Sequence, residues 1–73
     1  MRAKYLKLLS VAYDLMVFLN RSSFEVHTDD ESAYVDLKTS AEFSAVRLVE
    51  MAAGFRVNLY PAGSFILVRV YED

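Results

Sequence analysis

The segment from Tyr5 to Leu19 constrains the fold of this chain most strongly. Its helical pattern has one narrow polar stripe, in which polar residues recur three or four positions apart: Lys4, Lys7, Ser10 and Asp14. The rest of the circumference is apolar, far beyond the arc of about 100° that a helix needs to cover one sheet. We therefore predict a helix from about Ala3 to Leu19, capped by Asn20, with more apolar surface than a single sheet can cover.

The same segment does not match a membrane anchor or a leader peptide. A bilayer span needs about 20 apolar residues, and this shorter segment carries Lys7 and Asp14 within it. No run of small residues forms a signal-peptide cleavage site. The sequence therefore predicts a soluble, cytoplasmic protein with no membrane association.

Composition limits both the size of the core and the available chemistry. A chain of 73 residues without cysteine has no disulfide and no thiolate metal site, and domains of this size bury only about 60% of their unfolded surface. Ten acidic against eight basic side chains give a net charge of −2, which argues against a polyanion binder held by bulk charge. The hydrophobic content of 55%, with two glycines and one proline, indicates one compact domain.

Two β-hairpins are predicted after the first helix. Apolar and polar residues alternate along four stretches, which predicts strands at 24–28, 33–38, 55–59 and 64–71. The first hairpin has a polar turn at 28–32, and the second has the turn Tyr60-Pro61-Ala62-Gly63. The fourth strand is expected to face inward with Ser64, Ile66, Val68 and Val70.

A second helix is predicted between the hairpins. Thr39, three residues before Glu42, matches a capping box, and Gly54 is suited to end the helix. The core stripe of this helix is expected to contain four residues: Phe43, Val46, Val49 and Ala53.

The two halves of the chain align at an offset of 31 residues, which matches Phe24 with Phe55. We predict an α+β fold, an αββαββ pseudo-repeat with approximate boundaries 3–38 and 39–73 that forms one four-stranded antiparallel sheet with both helices on one face. An internal duplication and two units built by the same patterning rules both explain the alignment. The strand order is open as well, because a meander and two hairpins meeting edge to edge fit equally well.

The sequence has no catalytic motif. Its single imidazole, His27, is predicted on the outer face of the first strand, near an acidic hairpin tip formed by Asp29, Asp30 and Glu31. Three consecutive acids in a tight turn cannot all point at one metal ion. No serine lies in a Gly-x-Ser-x-Gly turn, and the two glycines, nine residues apart, form no phosphate loop. We expect a protein that is not an enzyme and that holds no cofactor or metal.

The outer face of the second hairpin is the main candidate site. The residues that alternate onto an exposed sheet face are normally polar. This face instead carries Tyr60, Phe65, Leu67 and Tyr71, flanked by Arg56 and Arg69. Such a patch, together with the apolar surplus of the first helix, predicts a protein-binding module that acts as a small regulator or inhibitor of a larger protein assembly. The acidic tip at 29–31 would steer the approach of the partner.

Two alternatives use the same surfaces. In the first, the chain is a structural small homodimer in which these surfaces cover each other. In the second, the aromatic residues stack RNA or single-stranded DNA, although the acids Glu25, Asp36, Glu72 and Asp73 lie at or beside the face and argue against it. In size and composition alone the chain is similar to small regulators, including phage-encoded proteins that block a host enzyme by binding it.

Overall fold

The structure is a computed structural model that describes residues 3–40 and 42–73. Its elements follow one another in the order α1 (Ala3–Phe18), β1 (Glu25–Thr28), β2 (Ala33–Thr39), α2 (Ala45–Met51), β3 (Arg56–Ala62) and β4 (Phe65–Tyr71). The four strands form one antiparallel sheet, α1 packs on β2 and β4, and α2 packs against α1. The predicted α+β class, with both helices on one face, is confirmed.

The two hairpins meet edge to edge. The strand order is β1-β2-β4-β3, and the central pair β2–β4 runs from Tyr34 opposite Tyr71 to Thr39 opposite Ile66. On the inner face, one row of valines crosses all four strands: Val26, Val35, Val70 and Val57. Branched side chains fit the half-buried surface of a pleated sheet, and the two central valines are completely buried.

Most of the helical part of the core comes from α1. Its fully or nearly fully buried residues lie on one side: Leu8, Val11, Ala12 and Leu15, followed by Leu19 just after the helix. The other helix, α2, contributes Leu48, and its C-cap residue Ala52 is buried as well. Three large apolar residues of α1 stay exposed (Leu6, Tyr13 and Val17), so the sheet does not cover all of the helix's apolar surface.

The C-terminus of α1 forms the predicted left-handed cap. Asn20 has a φ of 55°. The backbone N–H of Arg21 donates to the carbonyl of Met16 (2.8 Å) and that of Asn20 to the carbonyl of Val17 (3.1 Å). This pair of hydrogen bonds is the Schellman arrangement, and it turns the chain sharply toward β1.

The predicted start of the second helix is wrong. Thr39 does not open α2; it is the last residue of β2, fully buried and opposite Ile66. The actual N-cap is Ser44, whose Oγ accepts a hydrogen bond from the backbone N–H of Arg47 (3.2 Å). Pairing with β4 extends β2 to Thr39, and this long-range ladder outweighs a local capping signal.

The predicted core stripe of α2 is wrong as well, except that Phe43, which precedes the helix, packs against the core. Val46 and Val49 are exposed, and Ala53 lies beyond the helix with a φ of 55°. Leu48 and Ala52 are buried in their place. A helix of seven residues with apolar side chains on two sides has no single face that its periodicity can identify.

The second hairpin turns later than predicted. Pro61 lies inside β3, opposite Ile66, and the connection consists of Gly63 and the exposed Ser64. Gly63 has a φ of 68°, as the first position of a two-residue type II′ turn requires. Proline is accommodated because β3 is an edge strand of the sheet.

The pairing within the hairpins differs between the two halves. Val26 pairs with Val35, so a uniform offset of 31 would pair Val57 with Ile66, but Val57 pairs with Val70. The cause is the turn, because four residues (29–32) join β1 to β2 and two residues join β3 to β4. The order αββαββ is repeated, and an origin by duplication stays a prediction. All four residues of β1 are exposed, which corrects the predicted half-buried strand.

Candidate functional site

The side of the sheet opposite the helices is called the outer face here. The register places thirteen side chains on it: Glu25 and His27 from β1, Tyr34, Asp36 and Lys38 from β2, Arg56, Asn58, Tyr60 and Ala62 from β3, and Phe65, Leu67, Arg69 and Tyr71 from β4. Neither α1 nor α2 packs on this face, because both lie on the other one. Within the described chain, neither helix therefore covers the outer face of the sheet.

An ion pair at the middle of the outer face joins the two halves of the chain. Arg69 donates from Nε to Asp36 Oδ1 (2.8 Å) and from Nη2 to Asp36 Oδ2 (2.9 Å), across the central strands. The Asp36 side chain is only 10% exposed. These hydrogen bonds hold the pKa of Arg69 above its usual range. A bidentate pair this well shielded is stronger than an ordinary surface ion pair and fixes both side chains.

A row of aromatic and cationic groups crosses the face beside this ion pair. The ring of His27 stacks on Tyr34 with centroids 4.7 Å apart, and Tyr34 lies 6.0 Å from Tyr71. The guanidinium of Arg56 lies 3.8 Å from the centroid of Tyr71, and that of Arg69 lies 4.3 Å from the centroid of Tyr34. Cation–π contacts at these distances hold the rings in place.

Three polar groups of the second hairpin form a hydroxyl cluster. The side-chain amide of Asn58 donates to the hydroxyls of Tyr60 (3.0 Å) and Tyr71 (3.3 Å), and the two hydroxyls are 3.0 Å apart. Hydrogen bonds from Tyr71 and Asn58, aided by the nearby arginines, lower the pKa of Tyr60 from its usual value. The cluster links β3 to β4 through side chains as well as through the backbone.

A shallow cavity of about 330 Å³ lies at the β1 side of the face. His27 Nε2 lies 3.5 Å from Glu25 Oε2 and 3.6 Å from Asp36 Oδ2, and Arg21 and Lys38 also line the cavity. Among residues 3–40 and 42–73, no cluster of three ligating side chains could hold a metal ion. Opposite charges already face each other in this cavity, so it offers no strong field of one sign to a small ligand.

The predicted patch residues share the outer face. Tyr60 lies opposite Leu67, Phe65 lies opposite Ala62, and Tyr71 lies opposite Arg56 at the other end of the hairpin. Tyr60 is exposed, whereas Phe65, Leu67 and Tyr71 are half-buried. Lys38 Nζ lies 5.4 Å from the centroid of Phe65. The two arginines of the patch differ: Arg69 is bound to Asp36, whereas Arg56 is exposed at the edge, 3.5 Å from Asp73.

The acidic tip lies apart from the apolar end of this patch. The tip follows the pair Thr28–Ala33, next to the end of the sheet that carries Tyr34 and Tyr71, whereas Phe65 lies at the opposite end. Asp29 builds the turn, because its Oδ1 accepts hydrogen bonds from the backbone N–H groups of Glu31 (2.9 Å) and Ser32 (2.8 Å). Asp30 and Glu31 are exposed.

Sequence reasoning placed Glu25 and Asp36 at or beside the face but missed the contacts that the first hairpin makes there. Tyr34, Asp36 and Lys38 alternate with buried residues of β2, so the pattern places them on the outer side. Their contacts with Arg69 and Phe65 depend on β2 lying beside β4. These contacts follow from the strand order, and local patterning does not determine the strand order.

Comparison of the chain with known protein families, with curated proteins and with solved structures gives no match. Within the part of the chain that the structure describes, no helix is both long enough and apolar enough to cross a membrane.

Proposed function

We propose that the chain is a non-catalytic protein-binding module that regulates or inhibits a larger protein by docking its outer face. The observation that carries this proposal is the uncovered sheet face, on which Tyr60, Phe65 and Leu67 lie beside fixed arginine and tyrosine side chains. Aromatic residues and arginine carry most of the binding energy in protein interfaces.

The contacts within the face support a rigid binding surface. Arg69 is held by two hydrogen bonds to Asp36, and Tyr60 and Tyr71 are held by Asn58. Side chains that are ordered before binding lose little conformational entropy when a partner docks. This organisation favours a defined protein surface as the partner.

The charges of the face indicate the chemistry of the partner. Asp36 neutralises Arg69 at the centre, while Lys38 and the exposed Arg56 lie toward the periphery. An apolar partner patch with carboxylates at its rim complements this arrangement. A nucleic acid is favoured less, because binding to phosphates needs several accessible cations and the central arginine is already paired.

The test compares three immobilised proteins: the wild type, Phe65→Ala, and Val46→Ala as a control on the exposed side of α2. A protein from extracts of the source cells should bind to the wild type and the control, and its affinity for purified Phe65→Ala should fall at least tenfold, about 1.4 kcal/mol. Circular dichroism checks that each variant is folded. If Phe65→Ala unfolds, Tyr60→Ala at the sheet edge replaces it.

Two results would contradict the proposal. The first is that a partner binds Phe65→Ala and Tyr60→Ala as tightly as the wild type, which would place the contact elsewhere. The second is that a labelled single-stranded RNA, and no protein, binds the wild type, with an affinity that falls steeply as salt is added.

A further inference from the structure

One stripe of α1 is largely exposed, although the ring of Tyr13 makes an edge contact with Phe24, with centroids 5.3 Å apart. Leu6, Tyr13 and Val17 are 52%, 60% and 75% exposed, and Ser10 between them is also exposed. These four positions are spaced by four, three and four residues, which is the spacing of the seam in a two-helix coiled coil. The stripe belongs to the helical side of the molecule and shares no residue with the outer face.

Charges beside the stripe indicate which surface fits it. Lys7 and Asp14 are both exposed and lie seven residues apart, so they occupy the same flank of the seam. When two copies of one helix pack antiparallel, equivalent flanks face each other, and residues near one end meet residues near the other. Lys7 then lies opposite Asp14 of the second copy, and Asp14 lies opposite its Lys7. Parallel packing would place the two copies of this flank on opposite sides of the seam, so Lys7 and Asp14 would form no pair across it.

The apolar positions fit the same arrangement. With the two-fold axis between residues 11 and 12, Leu6 faces Val17 of the second copy, and Ser10 faces its Tyr13. Lys7 is then offset by two residues, about 3 Å along the helix axis, from Asp14 of the second copy, which the long lysine side chain spans. A small side chain opposite a large one lets the helices approach closely. The charge pairs and the apolar layers therefore select the same antiparallel packing.

We infer that α1 is the interface of a symmetric antiparallel homodimer, with the seam Leu6, Ser10, Tyr13 and Val17 packed against its own copy. A two-fold contact of this type closes on itself, so it produces a dimer and not a filament. The two outer faces point away from each other in this dimer. The inference goes beyond the proposed function and does not rest on it, although a dimer would present two docking faces to a multivalent partner.

The seam has four side chains per copy, far fewer than the roughly 20–30 residues per side of a standard interface. We therefore expect a reversible dimer that forms in the micromolar range and dissociates on dilution. Analytical ultracentrifugation of the full chain from low micromolar to millimolar concentration measures this. Val17→Glu should be monomeric throughout, and Val46→Glu on the exposed side of α2 should dimerise like the wild type.

A charge exchange tests the antiparallel geometry. Lys7→Asp and Asp14→Lys should each weaken dimerisation about five- to tenfold, because each places like charges opposite one another at two symmetric positions. The double variant with both substitutions should recover the affinity of the wild type. All the substituted residues are exposed, so the fold should be retained, which circular dichroism verifies.

Three results would overturn the inference: a wild type that is monomeric at every concentration, a dimer that survives Val17→Glu, or a double variant that does not recover. If Phe65→Ala dissociates the dimer while Val17→Glu does not, the contact lies on the outer face. Partner capture by the outer face is measured separately, so either proposal can fail without the other.

Discussion

The two αββ halves of the chain share an order of elements but divide the structural roles between them. The first half has a helix of 16 residues and a hairpin whose edge strand has only four. The second half has a helix of seven residues and a hairpin with two strands of seven. The first half therefore supplies most of the helical core, and the second half supplies most of the patch on the outer face.

Neither half is complete without the other. α1 of the first half packs on β4 of the second as well as on β2 of its own half. On the opposite side of the sheet, Asp36 of the first half holds Arg69 of the second. A two-stranded hairpin is only marginally stable alone, whereas a four-stranded sheet covered by a helical layer can be stable on its own. The asymmetry shows that repeated order does not require repeated roles.

Truncation of one buried leucine in each helix has the largest expected effect on this comparison. Leu15 and Leu48 are both fully buried, but Leu15 lies in the helix that packs on both central strands. Leu15→Ala should lower the free energy of unfolding by about 3–5 kcal/mol, and Leu48→Ala by about 2–3 kcal/mol, since the short α2 can settle inward to fill the space. Urea unfolding followed by circular dichroism measures both, and equal losses would show that the helices contribute alike.

The sequence predicted best those features that depend on local patterning in long elements. The helical period of the first 19 residues predicts α1 to within one residue of its end, and alternation along β4 correctly assigns Val68 and Val70 to the inner face. The left-handed cap at Asn20 follows from the tolerance of asparagine for the left-handed region at a helix C-terminus. In these cases local preference and tertiary packing agree.

The errors occur where a long-range contact decides between two local possibilities. Thr39 has the capping signal of a helix start, but pairing with Ile66 keeps it in β2. Pro61 is typical of a turn, but the edge position of β3 allows the strand to continue through it. The ion pair of Asp36 with Arg69 depends on a strand order that patterning leaves open.

The two helix ends give a matched comparison of intermediate size. Asn20 in the first half and Ala53 in the second have the same φ of 55°. Asparagine tolerates this region, whereas alanine is strained by about 1–2 kcal/mol. Ala53→Gly should therefore stabilise the protein by about 0.5–1 kcal/mol, and Asn20→Gly should change little. Thermal unfolding of both variants measures this, and a loss of stability in Ala53→Gly would show that Ala53 is not strained in solution.

The smallest expected effect concerns the hydroxyl cluster, whose three residues all belong to the second half. Tyr60 should ionise at lower pH than an ordinary tyrosine, because hydrogen bonds from Tyr71 and Asn58 favour its phenolate. Because the pKa of Tyr60 is lower in the folded state than in the unfolded state, ionisation of Tyr60 stabilises the fold. This stabilisation is fully present above the unfolded-state pKa, and it is lost as the pH falls through the folded-state pKa. Tyr71→Phe removes the largest cause and should raise the pKa of Tyr60 toward its usual value.

Absorbance of the tyrosinate band against pH measures this titration, and subtraction of the Tyr60→Phe curve assigns the signal. Tyr13→Phe, in the first half, is the matched control, because Tyr13 lies on α1 and its removal should leave the titration of Tyr60 unchanged. A Tyr60 titration that Tyr71→Phe does not move would mean that the two hydroxyls do not meet in solution. The second hairpin would then lack the ordered side chains that distinguish its outer face from that of the first, and the rigid surface on which the proposed docking depends would be lost.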